Sequence, residues 1–438
     1  MRRSTRLTSV GLGIFTTVAV VGTAAAPAQA AAAGVASAAG TTVQYKAAAG
    51  KANQVVVTRS GRTITIDDKV AVRAGKGCKA VKGDKTKVRC TTTKAPTRVR
   101  VYLGSRGDSV TNRTGVPMTA YGSTGNDRLI GGSGKDQLFG GSGSDKIWGH
   151  AGADSIDAGS GSDTARGGSG DDRIQGGSGS DWIATESGED LGLGGTGNDT
   201  IYLGTGWDAA EGGGGNDVID AGDGDDRIHG ASFNDSAEPV ADRGSDTLRG
   251  GSGQDRLEGN GGADRLEGGD GDDQLAGDFF RTDATNTREL GAPDVVLGGA
   301  GYDEVNYGAY TNPLTIDLDG QPGDDGQAGE HDTVGADVEG LIGGPGDDRL
   351  TGNAAANYIQ GDRGNDVLRG GGGNDFLRDG MGHDELYGDG GDDEIYAEWP
   401  DTEPDRVDGG ANATATGDIC RVTPDDVVTT CEAVYYDR

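Results

Sequence analysis

The chain has 438 residues, of which 33% are hydrophobic, 5% aromatic and 85 are glycine, and its formal net charge is -32. So few apolar side chains exclude a large conventional core, because too little surface can be buried to offset chain entropy. The charge is also uneven: residues 31–120 hold 17 Lys/Arg against 4 Asp/Glu, and residues 121–438 hold 19 against 67. Such an acidic body repels nucleic acid and anionic membranes and concentrates cations, so no nucleic-acid partner is expected.

At the N-terminus, Arg2, Arg3 and Arg6 precede an apolar run from Val10 to Ala26, and Ala28-Gln29-Ala30 supplies a small-x-small cleavage site. Residues 1–30 are expected to be a secretory signal peptide, with the mature chain starting near Ala31 and the protein extracellular. Gly11, Gly13 and Gly22 interrupt the run, which argues against a membrane anchor. No later segment approaches the roughly 20 apolar residues of a membrane span. Arg2-Arg3 is compatible with twin-arginine export, but the residues that normally follow are absent, which favours the general route.

Residues 31–121 form a basic segment in which Asn53–Arg59, Arg62–Asp67 and Arg98–Leu103 alternate as strands. A small β cap is expected there, covering an edge that would otherwise pair with other chains. Its Lys76, Lys79, Lys82, Lys85, Lys87 and Arg89 offer a surface for an acidic cell-wall or extracellular polysaccharide. A solvated face that balances the acidic body is the simpler reading.

From Gly122 to His229 the sequence is twelve unbroken nonapeptides. The sixth position is always aspartate: Asp127, Asp136, Asp145, Asp154, Asp163, Asp172, Asp181, Asp190, Asp199, Asp208, Asp217 and Asp226. The fourth is always glycine, and the eighth is usually Leu or Ile, with Ala165, Gly192 and Ala210 as exceptions. After an insertion at 230–240, residues 241–276 add Asp246, Asp255, Asp264 and Asp273. A second insertion, 277–289, precedes a partial block, 290–306, in which Asp294 ends an incomplete unit and Asp303 belongs to a full one. A third, 307–342, carries an alternating strand (Leu314–Leu318) and an acidic loop with Asp324, Asp325, Glu330 and Asp332. Block 343–396 contributes Asp348, Asp366, Asp375, Asp384 and Asp393; its second unit has Asn357 in place of aspartate and lacks the central glycine. Insertions in a stacked array are where specific binding is expected.

One unit has a physical reading. Glycines at positions 1, 2 and 4 are expected to take positive φ and make a tight turn, and the three residues after aspartate alternate as a very short strand. A unit cannot bury its one aliphatic side chain alone, but stacked units build a column. That column is thin, so something beside it must hold the stack.

The tail, 397–438, would cap the far end. Four cysteines remain, Cys78, Cys90, Cys420 and Cys431, and export makes disulfides the natural reading. Three pairings are formally possible; Cys78–Cys90 and Cys420–Cys431 are preferred because each closes a short loop at one end.

These repeats, for example Gly167-Gly-Ser-Gly-Asp-Asp-Arg-Ile-Gln175, resemble the repeats-in-toxin, or haemolysin-type, calcium-binding family. The resemblance implies an all-β fold, a right-handed parallel β-roll with calcium between turns stacked on the same side. It implies that the position-six aspartates are metal ligands, and it makes Ca²⁺ the expected cofactor. Residues 31–120 look, more loosely, like the leading region of secreted actinobacterial members.

Catalytic signatures are missing: there is no Gly-x-Ser-x-Gly, no His-Glu-x-x-His and no phosphate loop ending Gly-Lys-Ser/Thr. Gly192–Gly197 matches a dinucleotide fingerprint only across a unit boundary. His150, His229, His331 and His383 read as surface substitutions. The expectation is a non-enzymatic, secreted calcium-binding protein that folds on binding. The alternatives are a calcium-dependent adhesin or a polysaccharide-acting β-helix.

Overall fold

A computed structural model describes residues 33–231, 244–278, 291–397, 403–412 and 417–436. The expected signal peptide, most of the 230–240 and 277–289 insertions, and parts of the tail lie outside the described residues. Every described element is a β-strand, and no described helix is long and apolar enough to cross a membrane.

The chain is a parallel β-solenoid. Within the repeats each strand pairs in parallel with the strand two units away, so Leu129 faces Ile147 and Leu138 faces Ile156. One face is a single 20-stranded sheet that runs from the cap to the tail. The opposite face is divided: a 15-stranded sheet ends at Thr333–Val334, and a 7-stranded sheet takes over with Leu314–Asp317 beside Arg349–Thr351. Parallel pairing already begins within the basic segment, where Arg98–Ser105 pairs with Met118–Thr124 and Gln54–Ser60 with Ser109–Asn112.

Two apolar columns fill the interior because the short strands present one aliphatic side chain inward per unit. Leu129, Ile147, Ile183 and Ile201 stack on one face, and Leu138, Ile156 and Ile174 on the other, all essentially buried. Gly192 leaves room in the second column, and Leu203 fills it: a methyl group on Gly192 would lie 3.2 Å from the Leu203 side chain. Antiparallel hairpins close the first end, with Thr63–Asp67 between Gln54–Ser60 and Asp84–Thr91. Cys78 and Cys90 face each other in the last hairpin and are disulfide-bonded. Cys420, buried in the column of the final coils, is bonded to Cys431.

Candidate metal-binding turns

The solenoid gathers the position-six aspartates into two rows, one along each turn edge. In the first row the backbone N–H of Asp127 donates to Asp145 Oδ1 at 2.7 Å, and Asp145 donates to Asp163 in the same way. The chain of bonds runs on through Asp181, Asp199, Asp217, Asp246 and Asp264 to Asp294 and Asp332. The second row passes from Asp136 through Asp154, Asp172, Asp190, Asp208, Asp226, Asp255 and Asp273 to Asp303. Beyond the third insertion, Asp348, Asp366 and Asp384 continue along one edge, and Asn357, Asp375 and Asp393 along the other. All 22 aspartates singled out in the sequence are at most 4% exposed.

One oxygen of each carboxylate is thus committed to the ladder. The other is not. Oδ2 of Asp127, Asp145, Asp154, Asp163, Asp172, Asp181, Asp199, Asp208, Asp226 and Asp255 is buried with no hydrogen-bond partner. A buried charged oxygen without a partner is costly, so a row of them needs a cation or protons. Burial pushes Asp127, Asp154 and Asp172 up to about 7, and neighbouring carboxylates add to the shift.

Backbone carbonyls supply the remaining oxygens. Gly141 and Gly143, at positions 2 and 4, have φ of 110° and 121°. Their carbonyls point at the equivalent glycines of the next coil, since a methyl group on Gly159 or Gly161 would strike them. At Gly206 such a methyl would meet the Gly188 carbonyl of the preceding coil and lie 3.2 Å from Asp208 Oδ1. Carbonyl and carboxylate oxygens of successive coils therefore converge between the turns. This all-oxygen, partly carbonyl donor set is what Ca²⁺ takes, and it offers nothing to a metal that prefers nitrogen or sulfur.

The glycine expectation needs correcting. Position 1 does not take positive φ in these turns, and Ala158, Thr185, Leu203 and Ala221 occupy it. Its side chain points inward with the apolar column, so small or apolar residues suit it. Position 2 also accepts side chains at positive φ, among them Ser123, His150, Glu186 and Asn260. Within the nonapeptide blocks, every position-4 residue at positive φ is glycine.

Three turns differ. In those beginning at Gly131, Gly343 and Gly352 the position-2 amide (Gly132, Gly344 or Asn353) donates to the side chain of Asp136, Asp348 or Asn357 at 2.6–2.8 Å. None of the three has positive φ at positions 2 or 4. Each is the first nonapeptide turn on its edge, or the first after an interruption.

Several ladder members lie outside the full nonapeptide units, and of these the sequence marks only Asp294, as the end of an incomplete unit. Asp108, Asp294, Asp405 and Asp418 are buried and bonded like the others. Their glycine turns are degenerate or interrupted, but each keeps aspartate, one residue, then Val or Cys: Asp108-Ser-Val110, Asp294-Val-Val296, Asp405-Arg-Val407 and Asp418-Ile-Cys420. Glu339 stands in for aspartate after Asp303, accepting its amide at 3.0 Å. His229 is not a surface substitution: it is 4% exposed and pairs with Glu258 at 3.0 Å across adjacent coils.

The family model for the RTX calcium-binding nonapeptide repeat matches nine segments: an overlapping series from 119–147 to 202–237, then 240–275, 342–377 and 369–399. No curated protein matches the chain.

Proposed function

Because the chain belongs to the RTX family of calcium-binding nonapeptide-repeat proteins, we propose that it is a secreted protein whose Gly/Asp turns take up calcium and complete their fold in doing so. The observation that carries this reading is the row of buried Oδ2 atoms without partners. Successive coils stand about 4.8 Å apart, and at an effective dielectric near 20 like charges at that distance repel by roughly 3 kcal/mol per pair before screening. The aliphatic columns are thin against such repulsion repeated along both rows. A bound divalent cation supplies two positive charges between facing turns. Position-six aspartates and the position-2 and position-4 carbonyls are the groups that hold it, and its binding free energy then contributes to folding.

Extracellular calcium modules typically bind at about 10⁻⁴–10⁻³ M. In this reading the chain remains open inside the cell and rolls up after export, and the aspartates are ligands rather than catalysts. The two disulfides suit an oxidising compartment. Far-UV circular dichroism of the mature chain tests the proposal, with chelator, then rising Ca²⁺, and Mg²⁺ and NaCl as controls. A β signal should appear cooperatively with Ca²⁺ alone. A full β spectrum in chelator would overturn coupled folding.

A further inference from the structure

At the end of the first aspartate row the nonapeptide pattern is lost, yet the density of buried carboxylates rises. Asp278 and Glu330 approach each other there, and Asp294 and Asp332, joined by the ladder bond, lie alongside, each of the four at most 3% exposed. A methyl group built on Gly291 would touch both Asp278 Oδ2 and Glu330 Oε1, and one on Gly277 would touch Asp294 Oδ2. Asp278 and Glu330 therefore approach one another across the Gly291 backbone, and Asp294 lies against the glycine that precedes Asp278.

Asp278 Oδ2 and Asp294 Oδ2 are buried and have no hydrogen-bond partner. The other oxygens are held in place by neutral donors. Tyr310 Oη donates to Glu330 Oε1 at 2.9 Å and the Gln327 amide to Glu330 Oε2 at 2.9 Å. Tyr307 Oη donates to Asp332 Oδ2 at 3.1 Å and the Asp294 amide to Asp332 Oδ1 at 2.9 Å. Among the described residues, no Lys or Arg forms an ion pair with any of the four. Burial, then mutual repulsion, drives Asp278 and Asp294 well above the ordinary carboxylate range.

We infer that Asp278, Asp294, Glu330 and Asp332 form a divalent-cation site distinct from the spaces between nonapeptide turns. The neutral donors fix carboxylate orientation without cancelling charge, as a preorganised hard-cation site requires. Ligand charge and rigidity tune calcium affinity over orders of magnitude, so four fixed carboxylates bind more tightly than a pair of aspartates with carbonyls. The site also lies where the 15-stranded sheet ends, at Thr333–Val334. An ion there ties the segment around Asp278 to the 330–332 segment across that break. Asp278 and Glu330 set the site apart from the repeats, since neither belongs to the ladder, whereas Asp294 and Asp332 are the last two rungs of its first row.

The test uses Tb³⁺, which emits when an adjacent tyrosine absorbs, on the full mature chain. Tyr307 and Tyr310 place two rings, 5.1 Å apart, against the carboxylates. The first equivalent of Tb³⁺ should give tyrosine-sensitised emission, displaced by Ca²⁺ at a concentration about tenfold or more below that which changes the repeat region's dichroism. Asp278→Asn with Glu330→Gln should abolish emission from the first equivalent and spare later ones. Tyr307→Phe with Tyr310→Phe keeps all four carboxylates but removes two of the donors that orient them, so calorimetry should register the tight Ca²⁺ class weakened yet still present while sensitised emission falls. A neutralised variant that keeps wild-type first-equivalent emission would overturn the site, as would a wild-type chain with no tight class. Should the neutralised variant lose its fold, the tyrosine variant decides: undiminished first-equivalent emission from it would place the tight ion elsewhere and overturn the site. Failure of the repeats to bind would leave the first equivalent intact, so the two readings fail separately.

Discussion

The Gly132 amide donates to Asp136 Oδ2 at 2.6 Å, and that bond satisfies from within the turn the oxygen that Asp154, one coil on, leaves without a partner. Such a turn has to surrender a hydrogen bond before its carboxylate can bind metal. Asp136→Asn should therefore change the calcium midpoint by less than about twofold, whereas Asp172→Asn should raise it by about threefold or more. Asparagine preserves the ladder bond at Oδ1 in both variants, but at position 136 its NH2 faces the Gly132 N–H, so melts in chelator must accompany the titrations to separate lost turn stability from lost charge. Equal midpoints in calcium titrations of the two variants would refute the distinction.

The raised pKa values give acid two opposite effects. Burial holds Asp127 and Asp172 near 7 in the folded chain without metal, against about 3.9 when unfolded. A group raised in this way contributes stability that is fully present below about pH 4 and is lost as pH climbs through 7. Calcium-stripped protein should therefore gain β structure between pH 8 and pH 5. Calcium uptake requires the deprotonated form, so its midpoint should rise over the same interval. Dichroism of stripped protein at the two pH values, beside a titration at each, checks both signs.

Glycine at position 4 should be far less replaceable than glycine at position 3. Gly161 has φ 129°, and a methyl there would strike the Gly143 carbonyl that faces the space between turns. Gly214 has nothing within 4 Å of its added methyl and no positive φ. Gly161→Ala should cost about 1–3 kcal/mol and weaken calcium binding. Gly214→Ala should be neutral or stabilising by about 0.4–1 kcal/mol. Thermal melts in saturating calcium would rank them.

Reducing the Cys420–Cys431 bond should loosen only the last coils. Ala433–Tyr436 pairs on one side alone, with Ile419–Val422, and stacked repeats contact only their neighbours. Hydrogen exchange in calcium should quicken over 419–436 and stay unchanged over 122–229. Uniform acceleration along the chain would contradict nearest-neighbour stability.

The fold was legible in the sequence because nine-residue self-similarity leaves one way to bury a single aliphatic side chain per unit. The aspartate rows followed from the same periodicity. What periodicity could not show was where the stack begins, since Asp108 sits in Gly104-Ser-Arg-Gly-Asp, a turn that takes the same shape with Arg106 at φ 84°. Nor could it show the Asp278–Glu330 approach, made by residues far apart in sequence and out of step with the repeat. His229 was misread because a residue at an outward strand position is normally wet; Glu258, in the next coil, buries it.

The step of two units between bonded aspartates sets a parity on how such a chain can change length. An eighteen-residue duplication adds one rung to each row and leaves both ends facing as before. A nine-residue gain would send every later aspartate to the opposite edge and exchange the two faces beyond it. The interruptions respect this rule: Asp217 bonds Asp246 across 29 residues and Asp264 bonds Asp294 across 30, each remaining on its own edge. Growth of the array is thus quantised in pairs, and the 29- and 30-residue intervals show that extra length of another size can enter a coil and still leave each aspartate on its own edge.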